Sequence, residues 1–213
     1  MNRTTARSTV LTGALLAGAL ALAGCSGDGG HEGMSGMSGS SSASASAGAS
    51  DAAAQFNDAD VTFAQGMLPH HQQAVEMSQL AADRAADPRV EDLAARIEAA
   101  QAPEIETLSG WLEAWGAEAT DSSGTGHGSM GHGDMGGMMT AEDMAALAEA
   151  SGASFDRLFL EQMTAHHRGA VQMAETEIAE GENPDAIAMA QTIRDTQNDE
   201  IAEMEQLLTE LGG

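Results

Sequence analysis

The stretch "FAQGMLPHHQQAVEM", Phe63–Met77, returns 96 residues later as "FLEQMTAHHRGAVQM", Phe159–Met173. Both copies read F-x3-M-x2-H-H-x2-A-V-x-M. On a helix, at about 100° per residue, Phe63, Met67, His70, His71, Ala74 and Met77 fall within an arc of about 120°, and Glu76 points away. The second copy repeats that stripe with Phe159, Met163, His166, His167, Ala170 and Met173. Apolar residues at this spacing predict a helix with one buried face.

The repeat is longer than the motif. At a constant offset of 96 and without gaps, residues 60–116 pair with 156–212, matching Asp60 with Asp156, Pro88 with Pro184, Ile97 with Ile193, Gln101 with Gln197, Glu104 with Glu200, Ile105 with Ile201 and Leu112 with Leu208. This is an internal duplication. Each unit reads as a helical hairpin. In the first, Asp58 is the expected N-cap and a helix runs to about Ala86. "ADP" (86–88) then breaks the chain, because a residue before Pro avoids the helical region and Pro suits the first turn of the next helix. The second helix stops at Gly116. In the other unit Ser154 is the expected cap, "GENP" (181–184) makes the turn, and the last helix runs to about Leu211. A short capped helix is expected in "TAEDMAALAEA" (140–150). Two hairpins of long helices predict an all-α, ferritin-like four-helix bundle with a long connection between its halves.

The stripe also carries chemistry. Met at i with His at i+3 and i+4 gathers soft donors on one patch of helix. A thioether and a neutral imidazole suit Cu(I), and by extension Ag(I); zinc prefers Cys, His and carboxylate. A carboxylate di-iron centre needs Glu-x-x-His on two helices, and that pattern does not occur. Adjacent histidines are a poor choice for packing, since each buried imidazole needs a polar partner. Met67, His70, His71, Met163, His166 and His167 are therefore the expected metal donors. Met77 and Met173 are either further donors or gap fillers, while Phe63, Ala74 and Val75 are core. Pro69 stands where the second copy has Ala165, removing one helical hydrogen bond, so two related but non-identical sites are expected. Gln101, Glu104, Gln197 and Glu200 are either partners of the histidines or polar surface residues.

Two low-complexity stretches carry the same donors. Asp121 to Thr140 contains His127, Met130, His132, Met135, Met138 and Met139; the Gly/Ser/Ala run after Cys25 contains His31, Met34 and Met37. Packing does not explain methionines in segments with no core, and His-rich tracts often bind metal. They are weaker candidates for copper capture.

The beginning of the chain sets the expected address. Arg3 and Arg7 precede an apolar run, Val10 to Gly24, that is too short for a membrane span. "LAGC" (Leu22–Cys25) resembles a bacterial lipobox, which implies a lipid-modified Cys25 and attachment to the extracytoplasmic side of the cell membrane. Cys25 is the single cysteine, so disulfides and thiolate metal sites are not expected. Beyond it six Arg and no Lys face all 33 Asp and Glu, a net charge of −27. Such a chain has nothing to neutralise phosphates, and nucleic acid is not an expected partner. The expected organisation is a signal peptide (1–24), a tether (25–55), a first hairpin (56–117), a Gly/Met/His-rich linker (118–140), and a short helix with the second hairpin (141–213).

The motif M-x2-H-H-x2-A-V-x-M, with "SGASFDRLFLEQM" (151–163) before it and "TIRDTQNDEIAEMEQLL" (192–208) after it, resembles the bacterial "domain of unknown function 305" family. The resemblance spans about residues 56–116 and 138–211. It implies a ferritin-like bundle in an exported protein, with periplasmic copper binding and resistance among some relatives. By position it transfers the family's His-His pairs to His70, His71, His166 and His167, with Met67, Met77, Met163 and Met173 beside them. The expected function is a cell-envelope lipoprotein that holds copper, as Cu(I), for sequestration, resistance or delivery. The alternative is a structural or interaction module of the envelope whose histidines serve only hydrogen bonding. No triad, phosphate loop or di-iron set points to an enzyme.

Overall fold

A computed structural model describes residues 55–119 and 136–212. The expected signal peptide, Cys25, the expected tether up to residue 54 and the candidate donors His127, Met130, His132 and Met135 lie outside the described residues. Among those described, all regular structure is helical: α1 Asp58–Gln79, α2 Ala81–Arg84, α3 Pro88–Trp115, α4 Ala141–Glu149, α5 Ala153–Glu180 and α6 Pro184–Glu210. No helix among them is long and apolar enough to cross a membrane.

The ends of the helices follow local chemistry, with three departures from the sequence expectation. Asn57, not Asp58, caps α1; its side chain accepts from Ala59 and Asp60, and Asp60 reaches back to the Asn57 N–H at 2.6 Å. This closes a capping box. The first helix ends at Gln79 and a separate turn, α2, continues to Arg84. Gly152, rather than Ser154, precedes α5, with φ 64 and its N–H bonded to the Arg84 carbonyl at 2.8 Å. Pro88 and Pro184 open α3 and α6 behind capping Asp87 and Asn183, and Thr140 with Asp143 caps α4, as the pattern required. Pro69 is accommodated inside a continuous α1.

Helix α1 packs on α3, α5 packs on α6, and α1 with α5 forms the seam between the repeats. The apolar core falls into two clusters. One gathers Ala74, Met77 and Ala81 with Val90, Leu93, Ala94 and Ile97, and joins them to Phe155, Phe159, Leu160, Met163, Met204 and Leu207. The other joins Phe63, Ala64, Met67 and Leu68 to Leu108, Leu112, Ala170, Ala174, Ala190 and Ile193. The end of α1 thus meets the start of α5, and the reverse holds at the other cluster, so the repeats are antiparallel. On each long helix the break between clusters falls at the same place: His70–His71, Gln101–Glu104, His166–His167 and Gln197–Glu200. The bundle has a polar layer across its middle.

The repeats are also locked end to end. Asp156 of the second accepts from the N–H of Ala86 (2.9 Å) and Asp87 (3.0 Å) in the turn of the first. Asp60, its counterpart, accepts from Glu182 (3.2 Å) and Asn183 (2.9 Å) in the turn of the second. Each carboxylate satisfies backbone donors that a helix start leaves open.

Glu177 breaks this symmetry, since Ala81 occupies the matching position. It is 1 % exposed, and burial, with Asp60 beside it, pushes its carboxyl up to about 8. Burial alone would raise Asp60 too, but backbone N–H groups from Asn57, Asn183 and Glu182, together with the Glu177 proton, hold it below the usual carboxylate value. The folded state therefore keeps a proton on Glu177 that the unfolded chain loses near pH 4.5. That contribution is complete below pH 4.5 and is lost as pH rises through about 8. Glu177→Gln, a permanent mimic of the protonated form, is expected to match wild type in melting temperature at pH 4 and exceed it by roughly 5 °C at pH 8. Thermal melts across that range check the sign.

Candidate metal centre

Helical periodicity puts both His-His pairs on buried faces, and the antiparallel seam brings those faces together. His70, His71, His166 and His167 are each at most 1 % exposed. The rings of His70 and His166 meet across the α1–α5 seam with centroids 3.7 Å apart and planes inclined by 40°, and the His166 and His167 rings are 6.3 Å apart. Two faces that the sequence presents as separate sites thus share one layer.

The outer histidine of each pair is held by the second helix of its own hairpin. His71 Nε2 lies 2.7 Å from Glu104 Oε2, and His167 Nε2 lies 2.8 Å from Glu200 Oε2. A carboxylate accepts, so each Nε2 carries a hydrogen, which leaves Nδ1 as the nitrogen available to a metal ion. A carboxylate behind an imidazole fixes ring orientation and raises basicity, as around metal-binding histidines generally. Glu104 and Glu200 therefore belong with the histidines. Gln101 and Gln197 are also in the layer, each 3 % exposed.

What the layer lacks is hydrogen-bond partners. Among the described residues, both ring nitrogens of His70 and of His166, and Nδ1 of His71 and of His167, are buried without one, as are Oε1 of Gln101 and Gln197. An orphaned buried polar atom costs about 1–3 kcal/mol. Protonation does not relieve it. Burial, reinforced by His71 and His167, pushes His70 down to about 3, although the nearby Gly136 carbonyl favours the charged form slightly. Burial and the surrounding histidines also push His166 well below its ordinary value. Near neutral pH these two rings are uncharged and hold free lone pairs.

The methionines flank the layer. Met67 and Met163 are fully buried, one in each apolar cluster, a helical turn from the histidines of their own helix. Met77 is fully buried beside Phe159 and Met163 in one cluster; Met173 packs against the other, its sulfur 3.2 Å from where a Cβ on Gly66 would lie. Met138 and Met139 line a surface groove with Pro69, Gln73, Glu76 and Met144. Among the described residues no three His, Cys, Asp or Glu side chains converge to hold an ion. A ligand set here must draw on methionine sulfur or a shift of the stacked rings. The donor chemistry and the orphaned nitrogens fit a soft metal ion.

The role of Asp60 and Asp156 was missed from sequence, although their identity across the repeat was visible. The signal was a carboxylate at the first turn of each long stripe, matched to the Asp-Pro and Asn-Pro turn of the other unit.

Residues 60–208 match the model of the family described as "Domain of unknown function (DUF305)". The solved structure of a DUF305 protein from Streptomyces coelicolor is 34% identical, with TM-score 0.65, covering 73% of this chain and 93% of that one. A DUF305 fragment from Deinococcus radiodurans is 29% identical, with TM-score 0.63, covering 72% and 97%. CopM in its Cu(II)-bound form is 33% identical, with TM-score 0.60, covering 71% and 96%; CopM is also solved in Cu(I)-bound and Ag-bound forms. No curated protein sequence matches.

Proposed function

Because this chain belongs to the DUF305 family, with a copper-bound structural relative, we propose that it binds copper, as Cu(I), in the histidine layer. One observation carries the reading: six imidazole nitrogens from four histidines lie buried in one layer with no hydrogen-bond partner among the described residues. Free imidazole lone pairs are what a metal ion consumes. His70 and His166 are the central donors, Nδ1 of His71 and His167 the outer ones, and Met67 and Met163 the thioethers within reach of their own helices' histidines. Glu104 and Glu200 hold the outer rings. Thioether and neutral imidazole together favour Cu(I) and Ag(I) over zinc.

The cargo is held rather than turned over, for sequestration, resistance or delivery, in a protein attached through Cys25 to the outer face of the cell membrane. Met77, Met173, Met138 and Met139 are secondary donors, with His127, Met130, His132 and Met135 of the linker.

Metal titration of the folded protein tests this. Wild type is expected to bind Cu(I) and gain melting temperature by mass action; the variant with His70, His71, His166 and His167 all changed to Ala is expected to do neither. Unchanged binding in that variant removes the layer as the site. Binding that instead disappears on deleting 127–139 moves the function to the linker. An unmoved melting temperature in wild type favours the structural or interaction module.

A further inference from the structure

The two repeats differ at one position that bears on access to the layer. Gln73 follows the first His-His pair by two residues, and Gly169 stands at the equivalent place in the second. Both engage the same segment, Gly136–Thr140, which runs from the linker into α4. The Gln73 side chain clasps Met139 at two points: its Nε2 donates to the Met139 carbonyl at 2.9 Å, and its Oε1 accepts the Met139 N–H at 2.7 Å.

Gly169 admits the other end of the segment. A Cβ on Gly169 would overlap the Gly136 carbonyl oxygen, far inside van der Waals contact, and lie 3.0 Å from Gly137 N. Gly137 has φ 89, and a Cβ there would lie 2.6 Å from the Ala165 carbonyl oxygen and 2.9 Å from that of His166. Backbone meets backbone here, so side chains cannot rotate away. The Gly136 carbonyl also lies near the His70 ring, without completing a hydrogen bond to it. The segment therefore crosses α5 beside the stacked His70–His166 pair, clasped to α1.

We infer that Gln73 and Gly169 are positioning residues that hold Gly136–Met139 as a strap over the histidine layer, so that the rings are reached only when the strap lifts. A clasp of two neutral hydrogen bonds and a glycine-sized seat is firm enough to cover the rings and weak enough to open. The repeat that lacks the glycine supplies the clasp.

The inference rests on the proposed metal role for its purpose, and its test does not need metal. Diethyl pyrocarbonate acylates neutral imidazole, and mass spectrometry reads the extent at His70/His71 and His166/His167 in the apo protein. Gly169→Ala, which must expel the strap, and Gln73→Ala, which removes the clasp, are each expected to speed acylation of these histidines at least tenfold. Gly110→Ala is the control, because a Cβ there meets nothing within 4 Å. Melts confirm that each variant is folded, and Gln73→Ala carries the test should Gly169→Ala not fold. Unchanged rates in the folded variants, or an equal increase in Gly110→Ala, would overturn the strap. Stopped-flow Ag(I) uptake is expected to accelerate in both variants with the equilibrium affinity unchanged; a loss of affinity equal to the gain in rate makes the strap part of the ligand set and overturns its role as a cover. If Ag(I) binds neither wild type nor variants, the metal reading fails, while the acylation rates still decide the strap.

Discussion

Changing His70 and His166 together to leucine raises the melting temperature of the apo protein by about 5 °C or more, and abolishes the rise that Cu(I) produces in wild type. The two effects share one cause. Each ring buries two nitrogens without partners, and each orphaned group costs about 1–3 kcal/mol. Leucine is of comparable size and brings no polar atom, so its packing losses stay below about 1.5 kcal/mol per site. For a domain of this size a gain of about 2 kcal/mol amounts to several degrees. The sign is the useful part. If the histidines were structural, making hydrogen bonds that stabilise the bundle, their removal would lower the melting temperature instead. Calorimetry of wild type and double variant, each with and without Cu(I), reads both effects. A variant less stable in the apo form, or one with an intact copper-dependent rise, would sink the metal-centre reading.

Asp156→Ala and Asp60→Ala are each expected to cost about 3 kcal/mol, near 10 °C in melting temperature. The two aspartates are 3 % and 0 % exposed and each satisfies backbone N–H groups of the other repeat's turn. Hydrogen bonds to a charged acceptor are worth about 1.5–3 kcal/mol, and truncation strands the donors. Asp60→Ala also opens the capping box on Asn57. Asparagine, with one acceptor oxygen in place of two, is expected to restore about half the loss at each site. Because the turns lie at opposite ends of the bundle, the two losses should add in the double variant. Chemical denaturation with linear extrapolation measures all four; a loss under 1 kcal/mol in either alanine variant would mean that water replaces the carboxylate.

Much of the bundle was legible because its rules are local. The stripe of Phe63, Met67, Ala74 and Met77 and its copy fix which helix faces are buried, and Pro88, Pro184, Asn183 and Gly116 mark where helices begin and end. Capping was the weakest point. Asn57 and Asp58 are both good cap residues, and the bonds that the Asn57 side chain accepts from the Ala59 and Asp60 N–H groups show which is used. Ser154 was an equally sound choice that lost to Gly152, whose positive φ lets its N–H reach the Arg84 carbonyl from the other repeat.

The candidate site divides along the same line. Helical period alone places the candidate donors, Met67, His70, His71 and their copies, on one face of each helix. The sequence left open whether Glu104 and Glu200 are partners or surface residues, and it treated the two faces as separate. Only the tertiary structure could decide these, because each depends on residues that meet across helices. The antiparallel seam stacks His70 on His166 and the hairpin turns aim Glu104 and Glu200 at His71 and His167. The backbone of Gly136–Met139 finds a seat on Gly169. Periodicity fixes which way a side chain faces; what it faces is set by how the two repeats pack.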